Sequence, residues 1–421
     1  MIATDKLSVI VGLGVTGLSV ARFLAAQGQR FIVMDSRGAP PMLAEFEAEF
    51  QSVKVFLGPF DAQLLNSASE IILSPGVPLS NESIQSAKNQ GIPIRGDIDI
   101  FSEQVGAPVV AITGSNGKST VTTLLGKMAQ RAGINVRLGG NLGTPALDLL
   151  ADDVELYVIE LSSFQLETTR ALNANSVALL NISEDHMDRY SSRMAYLQAK
   201  QRIFNGAKTV IVNDEEPLSQ PLVSTQMKIV HFGLESQDIG KFSSTQSDGV
   251  TYLSKGFDIL MPAADIALKG RHNLSNALAA LALGSSAGIP MGAMLEALKQ
   301  FSGLPHRCQF LRTLNGVDYV NDSKATNVGA SVVAIESFGQ QISGKVVLIA
   351  GGESKGADMS PLRAPMLRYG KAVILFGRDA ALLADSLGTG LDIRNTQSFA
   401  EAVKEAHNAA GNGDVVLLSP A

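Results

Sequence analysis

The chain has a single cysteine, Cys308, in 421 residues. That excludes an intrachain disulfide and suits a cytosolic protein. Basic charge is not in excess. Thirty-four Lys and Arg face 40 Asp and Glu, a formal net charge of -6, so a nucleic-acid partner has no electrostatic support. No apolar run approaches the roughly 18 residues that span a bilayer. Internal repeats and low-complexity tracts are missing too. What remains is a globular composition, 45% hydrophobic and 18% charged, long enough for two to four domains at roughly 100–200 residues each.

The most informative stretch is Val109-Val110-Ala111-Ile112-Thr113-Gly114-Ser115-Asn116-Gly117-Lys118-Ser119-Thr120. A short β-branched run predicts a buried parallel strand, and a helix is expected to start at Ser119. Gly114 and Gly117 let the backbone turn its amides toward an anion at a helix N-terminus. Lys118 can reach a β/γ-phosphate, and Ser119 offers a hydroxyl to Mg²⁺. The loop is shorter than a standard P-loop, because only Ser115 and Asn116 separate the two glycines. The bland alternative is a tight turn with a solvated lysine.

At the N-terminus, Leu7–Val15 has the look of a secretory apolar segment. Gly12, Gly14 and Gly17 followed by Asp35 fit a strand, turn and helix better. Asp35 ends a strand over Phe31–Met34. This is the pattern of a dinucleotide site with the acid on a ribose, or of a packing turn that binds nothing. A further strand, Ile71–Leu73, ends in Ser74-Pro75-Gly76 at the same sheet edge. Domains are expected at 1–95, 96–302 and 303–421.

In the central part, Leu156–Glu160 reads as a strand ending in a carboxylate, where a metal ligand belongs beside a phosphate loop. A loop carrying Glu184, Asp185, His186 and Asp188 suggests a metal or phosphate site, or a polar loop with a solvated histidine. Tyr196–Phe204 is an amphipathic helix in which Lys200 is expected at the surface. Asn273 and Asn276 share one face of an alanine-rich helix; they could hold a nucleotide or cap the helix. Beyond Gly303–Cys308, alternating strands and helices predict a third parallel α/β unit, with a second glycine-lysine loop at Gly351–Asp358. The fold class is therefore α/β in three domains: a Rossmann-like first unit, a central ATPase-like parallel sheet and a Rossmann-like third unit.

These motifs together resemble the Mur ligase family over essentially the whole chain. The phosphate loop is shared across that family and with folylpolyglutamate synthases. The stretches after Glu160 and Asn321 point to its D-glutamate-adding branch. The resemblance implies that ATP phosphorylates the L-alanine carboxylate of UDP-N-acetylmuramoyl-L-alanine and that the amine of D-glutamate then displaces phosphate. It implies ATP contacts from Gly114, Asn116, Gly117, Lys118, Ser119, Thr120, Asn273, Asn276, Arg307 and Asp322, with Lys324 near the phosphates. Two Mg²⁺ would be held by Ser119, Glu160, His186 and a Lys200 carbamylated by CO₂. Lys118, Glu160, His186 and Lys200 would be the catalytic set. Gly14, Val15, Thr16, Asp35, Ser36, Arg37, Gly76, Asn141 and His186 would bind the UDP-substrate, and Thr326 and Lys355 the D-glutamate. A monomer is implied. Under this reading the first glycine turn binds uridine diphosphate and not a nicotinamide. A dehydrogenase would leave the phosphate loop, Glu160 and His186 unused, a folylpolyglutamate synthase needs no uridine-binding first domain, and a nucleotide-sugar binding protein needs no catalytic set. The family's pattern runs on past Leu418-Ser419-Pro420-Ala421 into a serine-bearing turn and a helix that complete the D-glutamate site. The expectation is thus that a 421-residue chain binds UDP-substrate and ATP but ligates weakly or not at all.

Overall fold

The computed structural model describes residues 6–222, 227–268, 270–353 and 357–421. Three sheets follow one another along the chain, each covered by helices. The first holds β1 (Leu7–Val11), β2 (Arg30–Asp35), β3 (Val55–Leu57), β4 (Glu70–Leu73) and β5 (Ile94–Arg95), all parallel, in the order β3-β2-β1-β4-β5. The order reverses at β1, so its carboxyl end opens a crevice between β2 and β4. The glycine turn, Asp35 and the Ser74–Gly76 turn all stand at that crevice. The helix after the turn runs Val15–Ala26, beginning earlier than the glycines suggest because Gly14 serves as its N-cap.

The second sheet has nine strands: β6 (Val109–Thr113), β7 (Val136–Gly140), β8 (Leu156–Glu160), β9 (Ser176–Leu179), β10 (Thr209–Asn213), β11 (Lys228–Gly233), β12 (Phe242–Ser247), β13 (Val250–Lys255) and β14 (Asp258–Pro262). Their order is β14-β13-β12-β11-β10-β9-β6-β8-β7. β6 is buried at every residue and runs parallel to β8 and β9 on either side. Its loop therefore emerges between the ends of β8 and β9. The poorly periodic 236–265 region forms an antiparallel edge of β12, β13 and β14. Helix Arg271–Ser286 owes its burial to the run Ala277–Gly284, which packs into the same core as Leu124, Leu125 and Met128 of helix Lys118–Arg131.

The third sheet contains β15 (Gln309–Leu314), β16 (Val317–Asn321), β17 (Val346–Gly351), β18 (Gly370–Phe376), β19 (Ile393–Asn395) and β20 (Val415–Leu418), ordered β15-β16-β20-β17-β18-β19. All pairs are parallel except β15 with β16. No helix among the described residues is long and apolar enough to cross a membrane.

One expectation fails clearly. Lys200 is not a surface lysine but 1% exposed. The helix runs Arg193–Gln201 and continues as a short 3₁₀ turn, Arg202–Phe204. Lys200 lies four residues after Tyr196 and three after Leu197, on the face those residues bury. Its amine stands over the Tyr196 ring, 4.8 Å from the centroid.

Candidate active site

Two glycines shape the phosphate loop. Gly114 has φ 151° and Gly117, the N-cap of helix Lys118–Arg131, has φ 83°, regions that disfavour a side chain. A Cβ on Gly117 would also press on the Asn276 Oδ1, at 2.5 Å. The Ala-rich helix thus seats its carboxamide against the loop tip. Asn276 Nδ2 donates to Asn273 Oδ1 at 3.2 Å, so the two share one face. Neither is the cap of its helix, whose N-cap is Gly270 without a side-chain bond.

Not every loop amide faces an anion. The Ser115 amide donates to the Asn181 carbonyl and the Asn116 amide to Asn181 Oδ1, at 3.0 and 2.8 Å. Asn181 Nδ2 donates back to the Asn116 carbonyl. Asn181 follows β9 and fixes the loop's first half. The anion-facing half is left to the first turn of helix Lys118–Arg131, whose amides lack intrahelical carbonyls.

Three basic side chains converge there. Lys118 Nζ donates to the carbonyls of Gly114 and Ser115 at 2.8 and 2.9 Å. Lys200 Nζ donates to the same Gly114 carbonyl at 2.9 Å and to Thr113 Oγ1 at 3.3 Å. Arg307 Nη2, from the start of the third domain, donates to Ser119 Oγ at 3.1 Å. Burial lowers the Lys118 pKa, partly opposed by Glu160 and Asp185. Burial, and then the neighbouring Lys118 charge, push the Lys200 amine well below an ordinary lysine. This favours its uncharged, nucleophilic form more than in an ordinary lysine at the same pH.

The carboxylate facing these side chains is Glu160, at the end of β8 and 2% exposed. Oε1 accepts from Asn141 Nδ2 at 2.7 Å, while Oε2 is buried with no hydrogen-bond partner. An orphaned, buried carboxylate oxygen is a hard-oxygen donor of the kind that fits Mg²⁺. The acidic loop after β9 contributes differently from the expectation. Among the described residues no three His, Cys, Asp or Glu side chains form a metal cluster. His186 has φ 58°, packs on Phe164 with centroids 4.7 Å apart, and lies 3.7 Å from Asp185.

The UDP-side residues gather at the first crevice. Asp35 accepts from the Leu13 amide at 2.7 Å and from the Arg37 amide and guanidinium at 2.6–2.9 Å. Burial alone would raise its pKa, but these bonds outweigh it and hold the carboxyl below the usual range. Asp35 therefore braces the glycine turn. Ser36, Arg37, Gly76 and Val15 are exposed and Gly14 and Thr16 half-buried. Arg189, unassigned by sequence, ties the two sites together. It donates to the Pro75 carbonyl at 2.7 Å and to Glu167 at 2.8 Å.

A cavity of about 520 Å³ lies between the central and third domains, lined by Asn116, Gly117, Thr120, Asn273, Asn276, Arg307, Asp322 and Lys324 among others. Asp322 accepts from the Cys308 amide at 3.0 Å and from Ser419 Oγ at 3.1 Å. Burial raises its pKa, against those bonds. Thr326 is exposed next to this wall. Lys355 lies outside the described residues. Asn181, Arg189 and Asn327 were missed by sequence reasoning. The signal available for them was polar residues just beyond strand ends, in the loops after Leu179 and Asn321.

Comparison with known proteins gives three adjoining matches. Residues 6–96 match a Mur ligase MurD-like N-terminal domain, 112–284 a Mur ligase middle domain, and 306–421 a Mur ligase glutamate ligase domain. The UDP-N-acetylmuramoylalanine--D-glutamate ligases of Pseudomonas syringae pv. tomato and Pseudomonas aeruginosa are each 52% identical over 421 residues, covering 100% of this chain and 94% of theirs. The enzyme of that name from Marinobacter nauticus is 50% identical over the same span. In fold, the chain is similar to MurF from Acinetobacter baumannii, with TM-score 0.64 and 17% identity over 100% of this chain and 88% of that one. It is also similar to a pseudomurein peptide ligase type C from Methanothermus fervidus, with TM-score 0.63 and 20% identity over 99% and 97%.

Proposed function

The chain belongs to the Mur ligase family, and from that premise we infer that it is an ATP-dependent ligase joining D-glutamate to UDP-N-acetylmuramoyl-L-alanine in peptidoglycan precursor synthesis. The observation that carries this reading is the meeting of Lys118 and Arg307 with Glu160 and Ser119 around one phosphate loop. An anionic carboxylate attacking an anionic phosphate needs such a concentration of positive charge.

In the reaction inferred, an oxygen of the L-alanine carboxylate bonds to the γ-phosphorus as the bond to the β-bridging oxygen breaks, and ADP leaves. The neutral amine of D-glutamate then bonds to the acyl carbon, phosphate leaves with the electron pair, and the nitrogen loses a proton. Gly114, Asn116, Gly117, Lys118, Ser119 and Thr120 would cradle the phosphates. Asn273 and Asn276 would meet the base, Asp322 the ribose, and Arg307 with Lys324 the terminal phosphate. Gly14, Val15, Thr16, Asp35, Ser36, Arg37 and Gly76 would take the UDP end, with Asn141 and His186 nearer the reacting end. Thr326 and Lys355 would face D-glutamate.

Ser119 and Glu160 would hold one Mg²⁺, and His186 with a carbamylated Lys200 a second. Bound there, the metal would neutralise charge between carboxylate and phosphate oxygens. A neutral, buried Lys200 amine beside the Lys118 cation suits reaction with CO₂, releasing a proton and leaving an anionic carbamate. The working unit is taken to be the monomer and its setting the cytoplasm.

Phosphate release tests the reading. It should require ATP, Mg²⁺, UDP-N-acetylmuramoyl-L-alanine and D-glutamate together, with L-glutamate inactive. Release that ignores the UDP-substrate would refute it.

A further inference from the structure

Asn327 precedes helix Val328–Gly339 in the third domain and is 5% exposed. Its carboxamide pairs reciprocally with that of Asn116, at the tip of the phosphate loop 211 positions earlier. Asn116 Nδ2 donates to Asn327 Oδ1 at 3.2 Å, and Asn327 Nδ2 donates to Asn116 Oδ1 at 3.0 Å. The same Oδ1 accepts from the Ala330 amide at 2.9 Å, capping the helix, and Nδ2 reaches Asp185 Oδ2 at 3.5 Å. Gly329 approaches Ser183, whose side chain also accepts from Asn116 Nδ2 at 3.3 Å. One side chain thus holds the first turn of a helix and grips the loop of another domain.

A paired primary amide is directional. Both donors and both acceptors are satisfied only in one relative orientation, and with Asn327 buried and Asn116 half-buried a broken bond leaves polar atoms short of partners. The loop cannot shift around a bound nucleotide without moving this helix or parting the pair. Thr326, the residue next to Asn327, moves with it.

We propose that Asn327 is a positioning residue that clasps the third domain to the phosphate loop, so that the nucleotide's seat and the D-glutamate side are set by one amide pair. The proposal rests on the function inferred above for the direction of its kinetic effect, but the clasp itself does not.

Asn327→Ser keeps a capping oxygen and is too short to reach Asn116, whereas Asn327→Ala removes cap and clasp together. Both variants should lose kcat to a similar extent, about tenfold, with a raised D-glutamate KM and a KM for UDP-N-acetylmuramoyl-L-alanine unchanged within about twofold. Only Asn327→Ala should melt earlier. By small-angle scattering without ligands, Asn327→Ser should show a larger radius of gyration than the unsubstituted chain. Unaltered kcat, D-glutamate KM and radius in Asn327→Ser overturn the proposal, as does a kinetic loss confined to Asn327→Ala, which would assign the effect to the cap. If the unsubstituted chain releases no D-glutamate-dependent phosphate, the functional reading fails instead. The ligand-free scattering then decides alone, and an unchanged radius overturns the clasp.

Discussion

Asn141 holds Glu160 twice. Its side-chain amide donates to Oε1 at 2.7 Å and its backbone amide to the Glu160 carbonyl at 2.8 Å. The exposed glycine-rich loop after β7 thereby aims the remaining oxygen, Oε2, which is buried and unpartnered. If that oxygen is a metal ligand, Asn141 acts mainly by orienting it. Asn141→Ala should then raise the Mg²⁺ concentration for half-maximal activity by about tenfold or more, with much of the rate restored at saturating Mg²⁺. A magnesium titration checks this. An unchanged requirement with a raised KM for UDP-N-acetylmuramoyl-L-alanine would make Asn141 a substrate contact alone.

Lys200 gives the second prediction. A fully buried amine with a depressed pKa is uncharged at a lower pH than an ordinary lysine. Deprotonation rises with pH, so carbamate formation should set in at a lower pH than for an ordinary lysine and be lost on acidification. Carbon-13 NMR after exposure to labelled bicarbonate should show one protected carbamate carbon, absent in Lys200→Ala. The same substitution should lower kcat by about a hundredfold or more. A labelled signal that survives in Lys200→Ala would remove Lys200 as its site.

The first glycine turn separates packing from binding. A Cβ at Gly17 would run into the Gly12 carbonyl, whereas one at Gly14 meets nothing within 4 Å. Gly17→Ala should destabilise the chain by about 1–3 kcal/mol. Gly14→Ala should destabilise less than Gly17→Ala, losing only the N-cap preference of Gly over Ala, and raise the KM for UDP-N-acetylmuramoyl-L-alanine about tenfold or more, as an added methyl group does in a fitted site. Melting curves and steady-state kinetics on the two variants test the contrast. A KM unchanged in Gly14→Ala would mean that the open space there is not a ligand's.

The first two sheets were legible because strands that carry site residues are short apolar runs: Leu7–Val11 and Val109–Thr113, each followed by a glycine turn, and Leu156–Glu160, which ends in a carboxylate. Glu160 stood out by residue type at a strand end, whereas the roles expected of Asn116 and Arg307 came from the resemblance alone. What could not be read is who satisfies whom. Asn181 takes the amides assigned to an anion, Asp35 braces its own turn, and Asn327 pairs across 211 positions. Such bonds depend on the packing of separate sheets, which leaves no periodic trace in the chain. Lys200 is the intermediate case. Its spacing from Tyr196 put it on the buried face, but residue type suggested solvent, and burial won because a carbonyl, a hydroxyl and an aromatic ring receive the amine.

Asp97 makes stability depend on pH. It opens helix Asp97–Gln104, where the first sheet hands over to the central domain, and is 2% exposed with neither carboxylate oxygen in a hydrogen bond of normal geometry. Burial pushes its pKa from 3.8 up to about 6, although the Gln165 side chain and the amides of its own first turn pull the other way. The folded-state value lies above the unfolded one. Below pH 4 both states are protonated and the group contributes nothing. Between about pH 4 and 6 the unfolded chain releases its proton while the folded chain keeps it, so stability falls as pH rises. Above pH 6 the full cost of the buried charge is present, on the order of 3 kcal/mol. Asn at this position has no proton to lose. Asp97→Asn should therefore melt close to the unsubstituted chain at pH 4 and higher than it at pH 7.5, by on the order of 5 °C. The difference should open between pH 4 and 6. Melting curves that run parallel across that range would show that Asp97 carries its charge without penalty, through partners stronger than those its geometry reveals.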